Sequence, residues 1–214
     1  MFRNREDAAL QLARRLKLLT LEDPVVLGIP RGGVVIAAVL ARELGAELDV
    51  VLSRKLRAPY QPELAIGAIS EDGEVYLNAF AHQAAGVTEQ YLREEREHQI
   101  AEIRRRGKLF RAVKPPAGVT GRSVIVTDDG IATGATMVAT LHVLNAQKPH
   151  ELIVAVPVAP PDTLEKLRPQ CSRLECLLAP ADFDAISQFY GDFQQVKDEE
   201  AVRLLRESRA REQS

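Results

Sequence analysis

The stretch Val124-Ile-Val-Thr-Asp-Asp-Gly-Ile-Ala-Thr-Gly-Ala-Thr136 decides the fold of this chain. An apolar run ends in two adjacent carboxylates, glycines and threonines follow, and a helical pattern then begins. This order predicts a buried strand, a tight loop and a helix N-terminus. Backbone amides in such a loop bind phosphate, and carboxylates accept hydrogen bonds from sugar hydroxyls. The stretch therefore indicates a site for a sugar phosphate.

Each residue type in this stretch has a chemical role. The two adjacent carboxylates repel each other, so sugar hydroxyls or a bound Mg²⁺ must compensate them. The glycines let the backbone turn tightly and approach a ligand, while the loop amides and threonine hydroxyls surround an anion. An ordinary capped turn between a strand and a helix is the alternative. The candidate binding residues are Asp128, Asp129, Gly130, Ile131, Ala132, Thr133, Gly134, Ala135 and Thr136.

The rest of the chain alternates apolar runs with helical spacing. Strands are predicted at 24–29, 48–53, 123–127, 151–156 and 174–178, a hairpin at 64–77, and helices at 4–19, 34–44, 88–108, 134–146, 162–168 and 198–209. This alternation predicts an α/β fold with a doubly wound, mostly parallel sheet flanked by helices. We expect one domain over 1–214, with a small hairpin, a helical insertion at 78–118 and a C-terminal appendage at 181–214.

Two more loops fall at the carboxyl ends of predicted strands, where such sheets bind ligands. Pro30-Arg-Gly-Gly33 offers the amides of Gly32 and Gly33 and the donor fork of Arg31. A dinucleotide-binding turn is the alternative, but the spacing does not match G-x-G-x-x-G. Arg54 and Lys55 begin a predicted loop over 54–63 and add two cations, unless they only form a solvated strand end.

Composition excludes several classes of function. The net charge of −2 gives no global reason to expect nucleic acid, and no apolar run is long enough to span a membrane. The charged N-terminus does not resemble a signal peptide. Cys171 and Cys176 match neither a disulfide framework nor a zinc site, so we expect reduced thiols in a cytoplasmic protein.

Other features have mainly structural interpretations. The four histidines, which include His82, lack the spacing of metal ligands. Arg104-Arg105-Arg106 is interpreted as the end of the predicted helix 88–108, where cations suit the helix dipole. The aromatic residues at 183–193 either pack locally or stack on a base.

The segment 124–136 resembles the motif with which type I phosphoribosyltransferases bind 5-phosphoribosyl-1-diphosphate (PRPP). The resemblance implies that Asp128 and Asp129 bind the ribose hydroxyls and lie near a Mg²⁺ cofactor, through water or those hydroxyls. It implies that Gly130–Thr136 bind the 5′-phosphate. As an order of elements the resemblance covers roughly residues 24–180. The chain as a whole is similar to uncharacterised bacterial phosphoribosyltransferase-like proteins.

The same resemblance assigns the other two loops. Arg31, Gly32 and Gly33 match the loop that binds the diphosphate, and Arg54 and Lys55 match the basic pair that reaches it. Lys55, Arg54 and Asp129 are therefore the expected catalytic residues. The family also implies a homodimer.

The resemblance implies an Mg²⁺-dependent transfer of the phosphoribosyl group from PRPP to a nitrogenous acceptor, a nucleobase, with release of diphosphate. The alternative is a regulatory protein that senses PRPP or a nucleotide at the same site without turnover. Members that act on 6-oxopurines carry an acid where this chain has Ala132, which argues against hypoxanthine and guanine and leaves adenine and orotate open. Either residues 56–63 or the insertion at 78–118 would close the site.

Overall fold

Alternating strands and helices make up most of the chain. The computed structural model describes residues 1–78, 81 and 85–212, without the side chains of 62, 63 and 212, so His82 and part of the predicted insertion lie outside the described residues. The elements in chain order are α1 (Arg5–Leu16), β1 (Val25–Gly28), α2 (Gly32–Leu44), β2 (Glu47–Val50), β3 (Arg54–Ala58), β4 (Gln61–Ile69), β5 (Val75–Leu77), α3 (Glu89–Arg111), β6 (Ser123–Thr127), α4 (Ala135–Ala146), β7 (Glu151–Val158), α5 (Pro161–Leu167), β8 (Arg173–Leu178) and α6 (Asp198–Glu212).

The central sheet has five strands in the order β2-β1-β6-β7-β8, and every pair in it is parallel. The order reverses between β1 and β6, which makes this the point where ligands bind in doubly wound sheets. The predicted fold class, a mostly parallel sheet flanked by helices, is confirmed.

The sheet is apolar along its length because helices cover both of its faces. Side chains alternate between the faces along each strand. Val26 and Ile125 pack on one side with α1, α2 and α6, whereas Val25 and Val124 pack on the other side with α4 and α5. Both faces of the sheet are therefore shielded from water by apolar packing.

The region that follows β2 differs from the prediction. Residues 54–63 were expected to form a loop, but β3 and β4 pair there in an antiparallel hairpin, with Pro59 and Tyr60 in its turn. Proline is tolerated in such a turn because its fixed φ suits that position. The hairpin that was predicted at 64–77 is present: β4 and β5 pair across the turn that contains Glu71-Asp-Gly73.

Helix α3 packs one face against β3 and β4. Its buried residues recur about every four positions: Glu95, Gln99, Ile103, Gly107 and Phe110. Three of these five are polar or glycine, so the stripe gives little hydrophobic periodicity in the sequence. The helix also continues to Arg111, so the prediction that Arg104–Arg106 end it is wrong.

Arg111 joins α3 to the central sheet. Its Nη1 lies 2.8 Å from Asp49 Oδ1 at the end of β2, and its Nε lies 2.7 Å from Glu71 Oε1 in the β4–β5 turn. Asp49 is 1% exposed, so the carboxylate is stable there only because it has this cation and hydrogen bonds from the amides of Val50 and Ala117. Hairpin, helix and sheet are thus held as one unit.

The N-terminal residues pair with the segment 189–191, which precedes α6. Phe2 donates its amide hydrogen to the Phe189 carbonyl over 2.8 Å, and its own carbonyl accepts from Gly191 over 2.8 Å. Phe2 and Tyr190 also pack together, with ring centroids 5.3 Å apart. The segment predicted as a C-terminal appendage therefore holds the start of α1 in place. No helix within residues 1–78 and 85–212 is long and apolar enough to cross a membrane.

Phe110 tests how α3 is anchored. This side chain is 1% exposed and belongs to the core beneath the hairpin, whereas the neighbouring Leu109 is 47% exposed. We expect Phe110→Ala to lower the free energy of unfolding by about 3–5 kcal/mol because it leaves a cavity. Leu109→Ala should change it by about 0.5 kcal/mol or less. Urea unfolding followed by circular dichroism measures both, and equal losses would contradict this packing.

Candidate active site

Two loops meet at the carboxyl edge of the sheet, where the strand order reverses. One follows β1 and runs into α2, and the other follows β6 and runs into α4. They approach so closely that side chains do not fit between them. A Cβ added to Gly33 would lie 2.7 Å from the Thr127 carbonyl oxygen, and one added to Gly32 would lie 1.9 Å from Asp129 Oδ2. The paired glycines thus allow the loops to touch.

A cavity of about 440 Å³ opens at this edge. It brings together residues from all three loops that the sequence singled out, and α3 forms a further wall. From the predicted set it is lined by Arg54, Lys55, Asp128, Thr133, Ala135 and Thr136, and from α3 by Gln99, Ile103 and Arg106.

A smaller cavity of about 210 Å³ follows the loop after β6. It includes the remaining loop residues of the predicted set, Gly130, Ile131, Ala132 and Gly134, together with Ile186. Gly134 has φ +79° and is the N-cap of α4, so the first turn of that helix faces this cavity. The unpaired amides and positive dipole end of a helix favour an anion at such a place.

Arg31, Gly32, Gly33 and Asp129 do not line either of these cavities. Arg31 is the N-cap residue of α2, and the peptide bond that precedes it is cis. The Asp129 carboxylate lies against Gly32 and is directed toward Arg5 on α1. Its Oδ2 lies 2.7 Å from both Nε and Nη2 of Arg5, and both side chains are nearly buried, at 12% and 11% exposed.

Arg5 is a site residue that the sequence did not predict. The sequence did require a donor or cation for the adjacent acids, but assigned that role to a ligand or metal. In the structure α1 supplies the cation, from a position 124 residues away in the chain. No local pattern joins the two residues, so only the general rule that buried carboxylates need partners could have indicated such a residue.

The C-terminal segment completes the surroundings of this ion pair. Arg5 Nη1 donates to the Gln194 carbonyl over 2.8 Å, and the Arg5 guanidinium lies 3.9 Å from the centre of the Phe193 ring. The Tyr190 hydroxyl donates to the Asp129 backbone carbonyl over 2.6 Å. Burial raises the pKa of Tyr190, so the hydroxyl keeps its proton and remains a donor. Two of the aromatic residues singled out in the sequence therefore pack at the site.

Asp128 has the opposite environment. Burial, and then the charge of Asp129, raise the pKa of Asp128 well above its ordinary value, and the charge of Arg5 only partly offsets this. Its Oδ1 accepts the Asp129 backbone amide over 2.8 Å. Asp128 is therefore the carboxyl group that gains most when a cation or a hydroxyl-bearing ligand enters the cavity.

The residues at the cavity fit a magnesium ion that is shared with a ligand. Within the described residues there is no cluster of three or more His, Cys, Asp or Glu that could hold a metal alone. Asp128 is the acid among the residues lining the large cavity. Mg²⁺ is usually bound by one or two carboxylates together with substrate phosphates, and Asp128 provides one such carboxylate.

The opposite wall is basic and is held by α3. Arg54 Nε donates to Gln99 Oε1 over 2.5 Å, and Gln99 Nε2 donates to Glu95 Oε1 over 2.8 Å. Arg57 Nε donates to the same Glu95 oxygen over 3.1 Å. The pairing of β3 with β4 shifts register beside Arg57, and such a bulge re-aims a side chain. Arg57 also lines the cavity, and the sequence did not predict it as a site residue.

The two adjacent acids should respond oppositely to removal of their charge. Asp129→Asn removes the carboxylate partner of a nearly buried guanidinium, so we expect a loss of about 1–3 kcal/mol in the free energy of unfolding. Asp128→Asn removes a carboxyl whose pKa is higher in the folded than in the unfolded protein. Its charged form is therefore disfavoured by folding, and the variant should be more stable than the parent at neutral pH.

The pH dependence of that gain follows from the same shift. Below the ordinary carboxyl pKa of 3.8, Asp128 is protonated in both states and the advantage of Asn disappears. As the pH rises toward the folded pKa, the parent alone loses stability and the advantage grows. Thermal unfolding of both variants between about pH 5 and 8 measures this, and equal destabilisation by the two substitutions would contradict the assigned environments.

Comparison with known proteins agrees with this geometry. The model of the phosphoribosyl transferase domain family matches residues 3–194. A Mycobacterium tuberculosis protein named "Putative phosphoribosyl transferase Rv0571c" is 40% identical over 205 residues, which are 96% of this chain and 46% of that protein. The chain thus spans about half the length of the curated relatives it matches.

A solved structure has the same fold throughout. The crystal structure of TT1426 from Thermus thermophilus superposes with a TM-score of 0.92 at 46% identity, and the match covers 96% of this chain and 98% of that one. The resemblance inferred from residues 124–136 is confirmed, and the chain belongs to the phosphoribosyl transferase domain family.

Proposed function

We propose that this chain transfers the 5-phosphoribosyl group of PRPP to a nitrogenous acceptor, a nucleobase, and releases diphosphate with the help of Mg²⁺. The observation that supports this is the composition of one cavity. Asp128, the N-terminal turn of α4 and the pair Arg54 and Lys55 all line it. These three groups match the three parts of PRPP, which are the ribose hydroxyls, the 5′-phosphate and the 1-diphosphate.

The loop after β6 would bind the 5′-phosphate. Residues 130–134 lead into α4 with Gly134 at the cap and line the smaller cavity together with the first turn of that helix, whose amides are the proposed donors; the Ile131 amide already donates to the Val158 carbonyl over 2.9 Å. The hydroxyls of Thr133 and Thr136 are placed at the same point. Each charge-assisted hydrogen bond to the phosphate would contribute about 1.5–3 kcal/mol. This binding energy would position the ribose for reaction.

Lys55 and Arg54 would stabilise the leaving diphosphate, with the amides of Gly32 and Gly33 and the fork of Arg31 as the second side of that site. Negative charge develops on the diphosphate as its bond to ribose C1 breaks, so cations fixed in advance lower the barrier. A bound Mg²⁺ would neutralise part of the same charge. Asp128 would provide its protein ligand, with Asp129 behind it.

The acids would serve the ribose. Asp128 would accept hydrogen bonds from its hydroxyls and face the positive charge that builds on the sugar ring. Asp129 is proposed as the second ribose acid and a catalytic residue. Because its Oδ2 is bonded to Arg5, direct contact with the sugar requires Arg5 to share that carboxylate. Asp128 and Asp129 would thus act by positioning the ribose and by their charge, and not by proton transfer.

Ala132 bears on the acceptor. It lines the smaller cavity, and its carbonyl accepts the Thr163 hydroxyl over 2.7 Å. An acid at this position would serve as a general base for 6-oxopurines, and alanine offers none. We therefore propose an acceptor other than hypoxanthine or guanine. A homodimer in the cytoplasm, acting in nucleotide metabolism, completes the proposal and follows from the family and from the two unpaired cysteines.

Binding of PRPP tests the site. Calorimetry with PRPP and Mg²⁺ should show a single class of sites, and Lys55→Gln should weaken binding about ten- to a hundred-fold through loss of a charge-assisted contact. Lys108→Gln removes the same charge from the exposed surface of α3 and should leave the affinity unchanged. Failure of folded protein to bind PRPP would contradict the proposal. Diphosphate release with a panel of bases then separates a transferase from a sensor, because a sensor binds without turnover.

A further inference from the structure

The arginine run at 104–106 contributes to the cavity. Because α3 continues to Arg111, the run lies within the helix and its three side chains point in different directions. Arg104 and Arg105 are exposed, and Arg105 pairs with Glu102 over 3.1 Å. Arg106 is half-buried and lines the large cavity on the same helix face as Gln99. One member of the run therefore faces the candidate active site.

In the part of the chain that the structure describes, neither Arg54 nor Arg106 hydrogen-bonds or ion-pairs with a carboxylate, although the charges of Glu102 and Glu95 act on Arg54 from farther away. Within the described ranges, Arg54 makes one side-chain hydrogen bond, from Nε to the neutral amide of Gln99, which leaves both of its terminal nitrogens as donors. The structure records no hydrogen bond or ion pair for Arg106 among those residues. Burial, and next the charge of Arg106, lower the pKa of Arg54. Two neighbouring guanidinium groups of this kind are stabilised when an anion lies between them.

Binding of PRPP alone does not account for all of the positive charge at this cavity wall. Of the four cations at the wall, Arg57 is already paired with Glu95, and Lys55 and Arg54 are assigned to the diphosphate, whose charge is shared with Mg²⁺. Arg106 remains without an assigned ligand, on the helix that lines the same cavity. Beside it the amide of Gln99 and the apolar side chain of Ile103 offer a surface suited to a planar ring.

We propose that Arg106 forms a subsite for a carboxylate carried by the acceptor ring, with the terminal nitrogens of Arg54 shared between this carboxylate and the diphosphate. The acceptor is then an anionic nitrogenous ring rather than a neutral base. Guanidinium groups bind carboxylate and phosphate alike through two parallel hydrogen bonds, but the smaller carboxylate fits better because the cavity of about 440 Å³ also has to hold PRPP. This inference rests on the proposed function and specifies its substrate class.

Nucleotide products test this subsite at equilibrium, without turnover. Two matched pairs differ only by a ring carboxylate: orotidine and uridine 5′-monophosphates, and nicotinate and nicotinamide mononucleotides. Calorimetry should show that the carboxylated member of at least one pair binds about ten-fold or more tightly than its neutral partner. Equal affinities within both pairs, or failure of all four to bind, would overturn the proposal.

Arg106→Gln assigns the preference to the subsite. It should reduce the affinity for the carboxylated nucleotide to that of the neutral partner, while the neutral partner and PRPP bind as before. Arg104→Gln removes the same charge from the same helix at an exposed position and should have no effect. Thermal unfolding checks that both variants fold. If Arg106→Gln weakens PRPP as much as the carboxylated nucleotide, the two cations serve the diphosphate and the inference is wrong.

The outcome for PRPP separates this inference from the function on which it rests. If the parent protein does not bind PRPP, the proposed transferase itself fails. If PRPP binds and the carboxylate preference is absent, only the proposed carboxylate subsite is wrong, and the acceptor would be a neutral base.

Discussion

Two consecutive carboxylates at the end of a buried strand cannot both stay charged unless a cation compensates them, and in this chain Arg5 does so for Asp129. The other parts of the site are arranged around that pair. The loop after β1 passes so close to Asp129 that only glycine fits at position 32. Asp128, which forms no ion pair within the described part of the chain, lines the cavity. One ion pair thus gives two chemically identical neighbours different surroundings: Asp129 is bonded to Arg5, and Asp128 lines the cavity.

The basic wall follows a different constraint. Arg54 and Arg57 lie near one another on a hairpin, and α3 holds them with a neutral amide and one buried carboxylate. A ligand therefore meets a surface whose positive charge is only partly neutralised. The acidic side faces it across the cavity, so a molecule with hydroxyls at one end and several negative charges at the other is complementary to both walls.

The sequence predicted the parts of this arrangement that depend on local patterns. The apolar runs that end at 127 and near 28 are continuous because both sheet faces are covered, and this made the strands, their loops and the parallel sheet recognisable. The hairpin at 54–69 was missed because a proline turn looks like a loop until its flanking strands pair. Arg5 and Arg106 were missed for other reasons. Arg5 meets its partner across 124 residues, and Arg106 lies on a helix whose buried face is too polar to show hydrophobic periodicity.

The backbone pairing of Phe2 with residues 189–191 has a consequence for how the chain tolerates change. Chain ends are ordinarily the places where truncations, fusions and sequence drift are accepted. Here the N-terminal segment places the arginine that balances the loop acid, and the C-terminal segment supplies the aromatic ring and carbonyl that orient it. A substitution at Phe2 or within residues 189–191 would thus disturb the loop acid indirectly, because only a few residues separate these contacts from Arg5, Phe193 and Gln194.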